Sequence, residues 1–149
     1  MTVTASADMS NFNQKLGKLA KSGSIALIKA LNKSAIMVQG DAIKLLQKGS
    51  RSGETYKSHG RQHVASAAGE PPKTDTGNLA SNINVDHAQK SGGSIVAKVV
   101  SNAAYSNYLE NGTRFIEPRP FLAPALEKNK EKIQELIVQT VRDAFKSGA

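Results

Sequence analysis

Apolar positions recur at helical spacing near both ends of the chain and at strand spacing between them. Phe12, Leu16 and Leu19 predict a short helix over about 11–21, which Ser22-Gly23-Ser24 interrupts. Ser24 is suited to an N-cap and opens a long helix over about 24–48, with Gly49 as its C-cap. At about 100° per residue, Leu27, Leu31, Ala35, Val38, Ala42, Leu45 and Leu46 share one face. Ile25, Ile28, Ile36 and Ile43 widen that face to nearly half the helix surface. So wide an arc predicts contact with two elements, or with one element and a neighbouring subunit. Lys29, Lys33, Lys44 and Lys48 gather on the opposite side. Gly40 is a weak point, costing about 1 kcal/mol against Ala.

Residues 1–10 read as a flexible arm, and residues 49–77 as a long loop rich in Gly, Ser, Pro and basic residues, with one short element near Tyr56. Asp75-Thr76-Gly77-Asn78 has the composition of a turn or cap, and Leu79 and Ile83 fit one turn of helix. Ile83 and Val85 begin a period-two pattern, Ser91-Gly92-Gly93 marks a hairpin, and a second strand covers about 94–101. Its apolar residues lie on both faces, which predicts an interior strand or one covered by a helix and a partner. Further short strand material is expected around Tyr105 and Tyr108. A last helix begins near Leu122–Pro124 and carries Leu126, Ile133, Leu136, Ile137, Val141 and Phe145 on its apolar side, with Gly148 ending it. Glu131 is placed to pair with Lys128 three residues before it. The expected fold is α+β. One domain spans 1–149, and a small antiparallel sheet is covered by the long helix of the first half and the C-terminal helix. Exposed edges of that sheet are candidates for subunit contacts.

Charge divides the chain unequally. Between Asn11 and Arg61 ten Lys or Arg stand against Asp41 and Glu54, whereas from Gln62 onwards ten basic residues face nine acidic ones. The first half can therefore attract DNA, RNA or an acidic protein surface. Lysines without arginine forks favour a diffuse field over reading of bases. With no Cys there is no disulfide framework, thiolate zinc site or cysteine nucleophile. His59 and His63 lack the intervening Glu of a zincin, and no phosphate loop, dinucleotide fingerprint or serine elbow occurs. The pattern shows no signal peptide and no membrane span. No catalytic, cofactor-binding or metal-binding residues emerge, and none of these is expected.

The stretch 105–125, YSNYLENGTRFIEPRPFLAPA, carries most of the remaining information. Tyr105 and Tyr108 offer flat apolar area with a hydroxyl. Gly112 permits a turn. Glu110 is the nearest carboxylate to pair with Arg114. Pro118 and Pro120 stiffen an extended segment from which Arg119 projects, and Phe121 anchors the last helix. Tyr105, Tyr108, Glu110, Arg114, Arg119 and Phe121 are thus candidate interface residues. Lys29, Lys33, Lys44, Lys48, Arg51, Lys57 and Arg61 are candidates to face DNA or an acidic partner.

Five segments together resemble the bacteriophage HK97 gp10-like family. They are Ser52-Gly53-Glu54-Thr55-Tyr56, Ala65 to Pro72, Asp75-Thr76-Gly77-Asn78-Leu79, the run from Tyr105 to Arg114, and Arg119-Pro120-Phe121-Leu122 with Pro124-Ala125. Asn111, where an aromatic is often found, and Ile116-Glu117 depart from the family pattern. The resemblance implies a structural, non-enzymatic virion protein of a tailed phage or prophage of the siphovirus type, without a cofactor. It implies action at head–tail joining or tail completion as part of a ring, present in the neck or tail and made in the host cytoplasm. Connector, head-closure, tail-terminator or tube proteins are the implied partners, with further copies of the chain and non-specific contact with packaged DNA. Rival readings are a head-closure or tail-terminator station nearby, a free non-specific DNA-binding protein, and a small hydrolase.

Overall fold

The computed structural model describes residues 10–58, 60–73 and 75–147. Residues 1–9 of the arm expected over 1–10, His59, Gly148 and the side chains of Phe12, Leu16 and Leu19 lie outside what it describes, and Ser10 belongs to the first helix. The first helix, α1, is continuous over Ser10–Lys48. The two predicted helices are therefore one, and Ser24 is no cap. Its hydroxyl donates to the Ala20 carbonyl, 2.8 Å away, inside an unbroken helix. Gly17 and Gly23 weaken propensity by about 1 kcal/mol each, too little to break a helix whose far half is held by tertiary packing. Gly49 follows α1 without the left-handed backbone of a C-cap glycine. A Cβ there would lie 2.8 Å from the Lys73 backbone, so what Gly49 permits is close approach of the returning chain.

The predicted long loop contains a hairpin, β1 (Thr55–Ser58) with β2 (Arg61–Val64), paired antiparallel with Tyr56 opposite His63. A short helix, α2 (Asn78–Ser81), leads into a second hairpin, β3 (Ile83–Ser91) with β4 (Ser94–Ser101). The chain between β4 and Pro118 forms α3 (Ser106–Asn111), not the expected strand material. The last helix, α4, covers Leu122–Ser147. The architecture is mixed helix and sheet, with two separate two-stranded antiparallel sheets.

β4 pairs with β3 alone, so it is not an interior strand. Its Ala97 and Val99 face α1, whereas Val96 on the other side is exposed. Opposite Ala97 the register slips, leaving His87 and Ala88 as a bulge in β3. The Ala88 amide, released from the ladder, donates to Asn32 Oδ1 of α1 at 2.7 Å. Gln39 donates to the Ile83 carbonyl at 2.7 Å. These two bonds fix β3 along α1.

The core is where the last turns of α1 meet the start of α4. Val38, Ala42, Leu46, Leu79, Ile83, Ala103, Phe121 and Ala125 cluster there, and Leu46 and Phe121 are its largest fully buried side chains. The wide arc on α1 does serve several elements, since α2, β3, β4 and α4 all pack on it. Ile25 and Ile36 of that arc nevertheless stay exposed. Polar contacts also join the helices. Asn129 Nδ2 donates to Asp41 Oδ2 and to the Ala125 carbonyl, both at 2.9 Å, and Lys128 reaches Asp41 at 3.3 Å. Lys128 is thus engaged with α1, and the pair on the surface of α4 is Lys130 with Glu127.

Candidate interaction site

A cleft of about 550 Å³ opens between the β1–β2 hairpin, α2 and α3. Its floor depends on close backbone approach. The Gly53 amide donates to the Ala65 carbonyl at 2.8 Å, and the Ala65 amide to the Glu54 carbonyl at 2.9 Å. A Cβ on Gly53 would fall 2.5 Å from the Ser66 carbonyl oxygen, so a larger residue would force the two segments apart. On the hairpin, Tyr56 and His63 stack with ring centres 5.6 Å apart. His63 Nδ1 lies 3.3 Å from Asp75 Oδ2, tying β2 to the turn before α2. Asn78 Nδ2 donates to the Tyr105 hydroxyl at 3.1 Å, which joins α2 to the start of α3.

Glu110 and the segment after Gly112 lie between Leu109 and Arg119, which both line the cleft. Glu110 does not pair with Arg114. Its Oε2 accepts the amides of Phe121 and Leu122 at 2.9 and 3.0 Å, and its Oε1 accepts that of Ala123 at 2.8 Å. A helix start leaves such amides without intrahelical partners and carries partial positive charge. Glu110 therefore caps α4 from a distant element. Arg114 stands over the Phe115 ring, 4.3 Å from its centre. Gly112, with φ +72°, lets the chain reverse so tightly that a Cβ would lie 2.7 Å from the Ile116 carbonyl oxygen.

Arg119 turns inward instead of projecting. Its amide donates to the Leu109 carbonyl at 2.6 Å, and the neighbouring Pro118 carbonyl accepts the Gly69 amide at 2.9 Å. Its side chain lines the cleft, with Nε buried and unpartnered. Ser66, 3% exposed, also lines the cleft, and its hydroxyl has no partner either. Phe121 is fully buried in the core of its own chain and offers no surface to a partner.

All five sequence segments singled out above contribute to this one cleft. Tyr56 comes from the first, Ser66 from the second, Asp75 and Leu79 from the third, Tyr105 and Leu109 from the fourth, and Arg119 from the fifth. The family model described as "Bacteriophage HK97-gp10, putative tail-component" matches residues 10–112, more than two thirds of the chain. The chain belongs to the HK97 gp10-like family. Its class is thus that of a phage tail component, a structural part of the virion that works against other tail proteins. No curated protein and no solved structure matches the chain. The family match ends at Gly112, so the Arg119–Ala125 segment and α4 lie beyond it.

The candidate basic residues are dispersed. Lys29, Lys33, Lys44, Lys48, Arg51, Lys57 and Arg61 are all exposed, but Lys44 is 3.4 Å from Asp41, and only Arg51 lines the cleft. Among the described residues no three His, Asp or Glu side chains are grouped to hold a metal ion, and no helix is long and apolar enough to cross a membrane. Sequence reasoning missed Phe115, which is 81% exposed, with Ile116 and Tyr108 also exposed nearby in sequence. An aromatic-aliphatic pair in a polar turn between Gly112 and Pro118 was the available signal.

Proposed function

We propose that this tail component acts at head–tail joining or tail completion, as one copy in a homo-oligomeric ring of the siphovirus neck or tail. The observation that carries this reading is the gathering of all five family-like segments around one cleft, in a subunit that also exposes Phe115, Ile116 and Tyr108. A free monomer gains nothing from exposing so much apolar area, whereas an assembly covers it. The role is structural, without catalysis or cofactor. Partners are the connector, head-closure, tail-terminator or tube proteins, met in the host cytoplasm as particles assemble. The lysine face of α1, with Lys29, Lys33, Lys44 and Lys48, or the segment with Arg51, Lys57 and Arg61 faces packaged DNA or an acidic ring surface.

The test is deletion of the gene followed by electron microscopy of lysates and of complemented particles. Filled heads beside separate or unfinished tails are expected, with a ring of this chain at the junction after complementation. Normal particles without it would overturn the reading. A salt-sensitive affinity of the isolated chain for DNA, with no place in the virion, would instead favour a free DNA-binding protein.

A further inference from the structure

The cleft is lined by three cations, Arg51, Lys73 and Arg119, against two carboxylates, Glu54 and Asp75. Arg119 brings a guanidinium to the wall, and its Nε has lost water without gaining an acceptor. The Ser66 hydroxyl beside the same space is likewise buried and unpartnered. Arg51 and Lys73 line the opening, and among the described residues neither they nor Arg119 form an ion pair. A buried N–H without an acceptor is costly, so the Arg119 Nε calls for an acceptor from outside. A carboxylate suits it, because Nε and a terminal nitrogen of one guanidinium grip the two oxygens side by side, and a hydroxyl can add a third bond. A nucleic-acid backbone suits it poorly, since Glu54 and Asp75 leave the lining a surplus of one positive charge, enough for a local carboxylate and too little for a continuous polyanion.

We propose that the cleft is a carboxylate receptor whose occupant is the Glu131–Glu135 pair on α4 of a second copy. The proposal rests on the ring reading above and specifies its lateral contact. Glu131 and Glu135 are exposed, and among the described residues neither is ion-paired, whereas Glu127 of the same stripe is held by Lys130 at 3.2 Å. Four residues apart on a helix, they stand about 6 Å apart along one side. Lys132 lies between them in sequence and can answer Glu54 across the contact. No residue of α4 lines the cleft, so donor and receptor are different surfaces of one subunit. Such a contact is head-to-tail, and head-to-tail contacts build a ring when the rotation between copies closes. To meet the carboxylate, the Arg119 Nε, buried in the isolated subunit, must turn towards the cleft.

The experiment places a photo-cross-linking residue at exposed Gln134 in complementing phage, mixing isotopically heavy and light copies. Cross-links between copies, from α4 to peptides containing Arg51, Lys73 or Arg119, are expected in intact particles. Arg119→Met and the pair Glu131→Gln, Glu135→Gln should each reduce them about tenfold or more, the scale of one charge-assisted bond. The glutamine pair lies outside the cleft and leaves its fold alone. Arg119→Met should hold or raise the Tm of the isolated protein, because it removes an unpaired cation and keeps the alkyl stem. A Tm fall of several degrees would overturn the proposal by making the guanidinium a brace of the subunit. A ring with cross-links only to other proteins or to DNA would overturn it while leaving the ring reading intact. Absence of any ring would remove both.

Discussion

Glu110 shows how one side chain can take a task that its neighbours in sequence disguise. Arg114, four residues on, is the obvious partner, yet the carboxylate collects three amides at the start of α4. The physical reason is number and alignment. Three orphan amides and the positive end of a 26-residue helix outweigh one solvated guanidinium. Replacing a capping oxygen typically costs about 0.5–2 kcal/mol. Glu110→Ala should fall at or beyond the upper end of that range, and Glu110→Gln, which keeps one acceptor, should lose about half as much. Urea denaturation midpoints check both. Equal stability of the wild type and the Ala variant would count against the cap. Phe121 follows the same logic. It was expected at an interface because it is large and lies in a distinctive motif, but the cap draws its backbone inward and the core closes over its ring. Motif membership singled these residues out as a set. It could not say which atoms they touch, because those contacts span 11 residues or more of chain.

At the scale of elements, the hydrophobic pattern made most of the fold legible. The long helix, the β3–β4 hairpin with its Gly92-Gly93 turn, and the last helix all follow from spacing. The β1–β2 hairpin did not, because Thr55-Tyr56-Lys57-Ser58 and Arg61-Gln62-His63-Val64 carry almost no buried apolar face and are held by backbone pairing and the Tyr56–His63 stack. The break expected at Ser22-Gly23-Ser24 failed for a related reason: local propensity was overruled by the length of the element. Gly40 tests how far propensity still matters. It lies inside α1, and a Cβ there meets nothing within 4 Å. Gly40→Ala should therefore stabilise by about 0.5–1 kcal/mol, read as a higher urea midpoint with unchanged slope. The α1–α4 junction makes a different demand, on pH. The Asn129 amide foremost, then the Lys128 and Lys44 ammonium groups, outweigh the opposing effect of burial and hold the Asp41 carboxyl at about 2, below its ordinary 3.8. A carboxyl depressed in the folded state stabilises the fold above its unfolded pKa and loses that contribution as pH falls. Wild type should thus lose stability between about pH 4 and 2 more steeply than Asp41→Asn. Parallel curves for the two proteins through that window would remove Asp41 from the account.

For the whole molecule, the sharpest contrast is between its two phenylalanines on either side of Pro118. Phe121 is buried completely, whereas Phe115 is 81% exposed. Exposure here is not slackness. The Thr113 amide donates to the Ile116 carbonyl at 2.7 Å, and the Thr113 hydroxyl oxygen accepts the amides of Phe115 and Ile116, each at 3.1 Å. The turn thus holds an aromatic ring out into solvent on an ordered base, with Arg114 against its face. Such a ring contributes little to the subunit and is well placed to enter a neighbour. Phe115→Ser should leave the urea midpoint of the isolated chain within about 0.5 kcal/mol of wild type. The same variant should lower infectious particle yield, with the missing particles appearing as heads and tails that have not joined. Phe121→Ala should also lower yield, but through a loss of about 3–5 kcal/mol of fold stability and a matching loss of soluble protein. Measuring soluble protein beside particle yield separates the two routes. If Phe115→Ser particles assemble at the wild-type level, the exposed ring is not an assembly contact and the contact surface must be sought at the cleft alone.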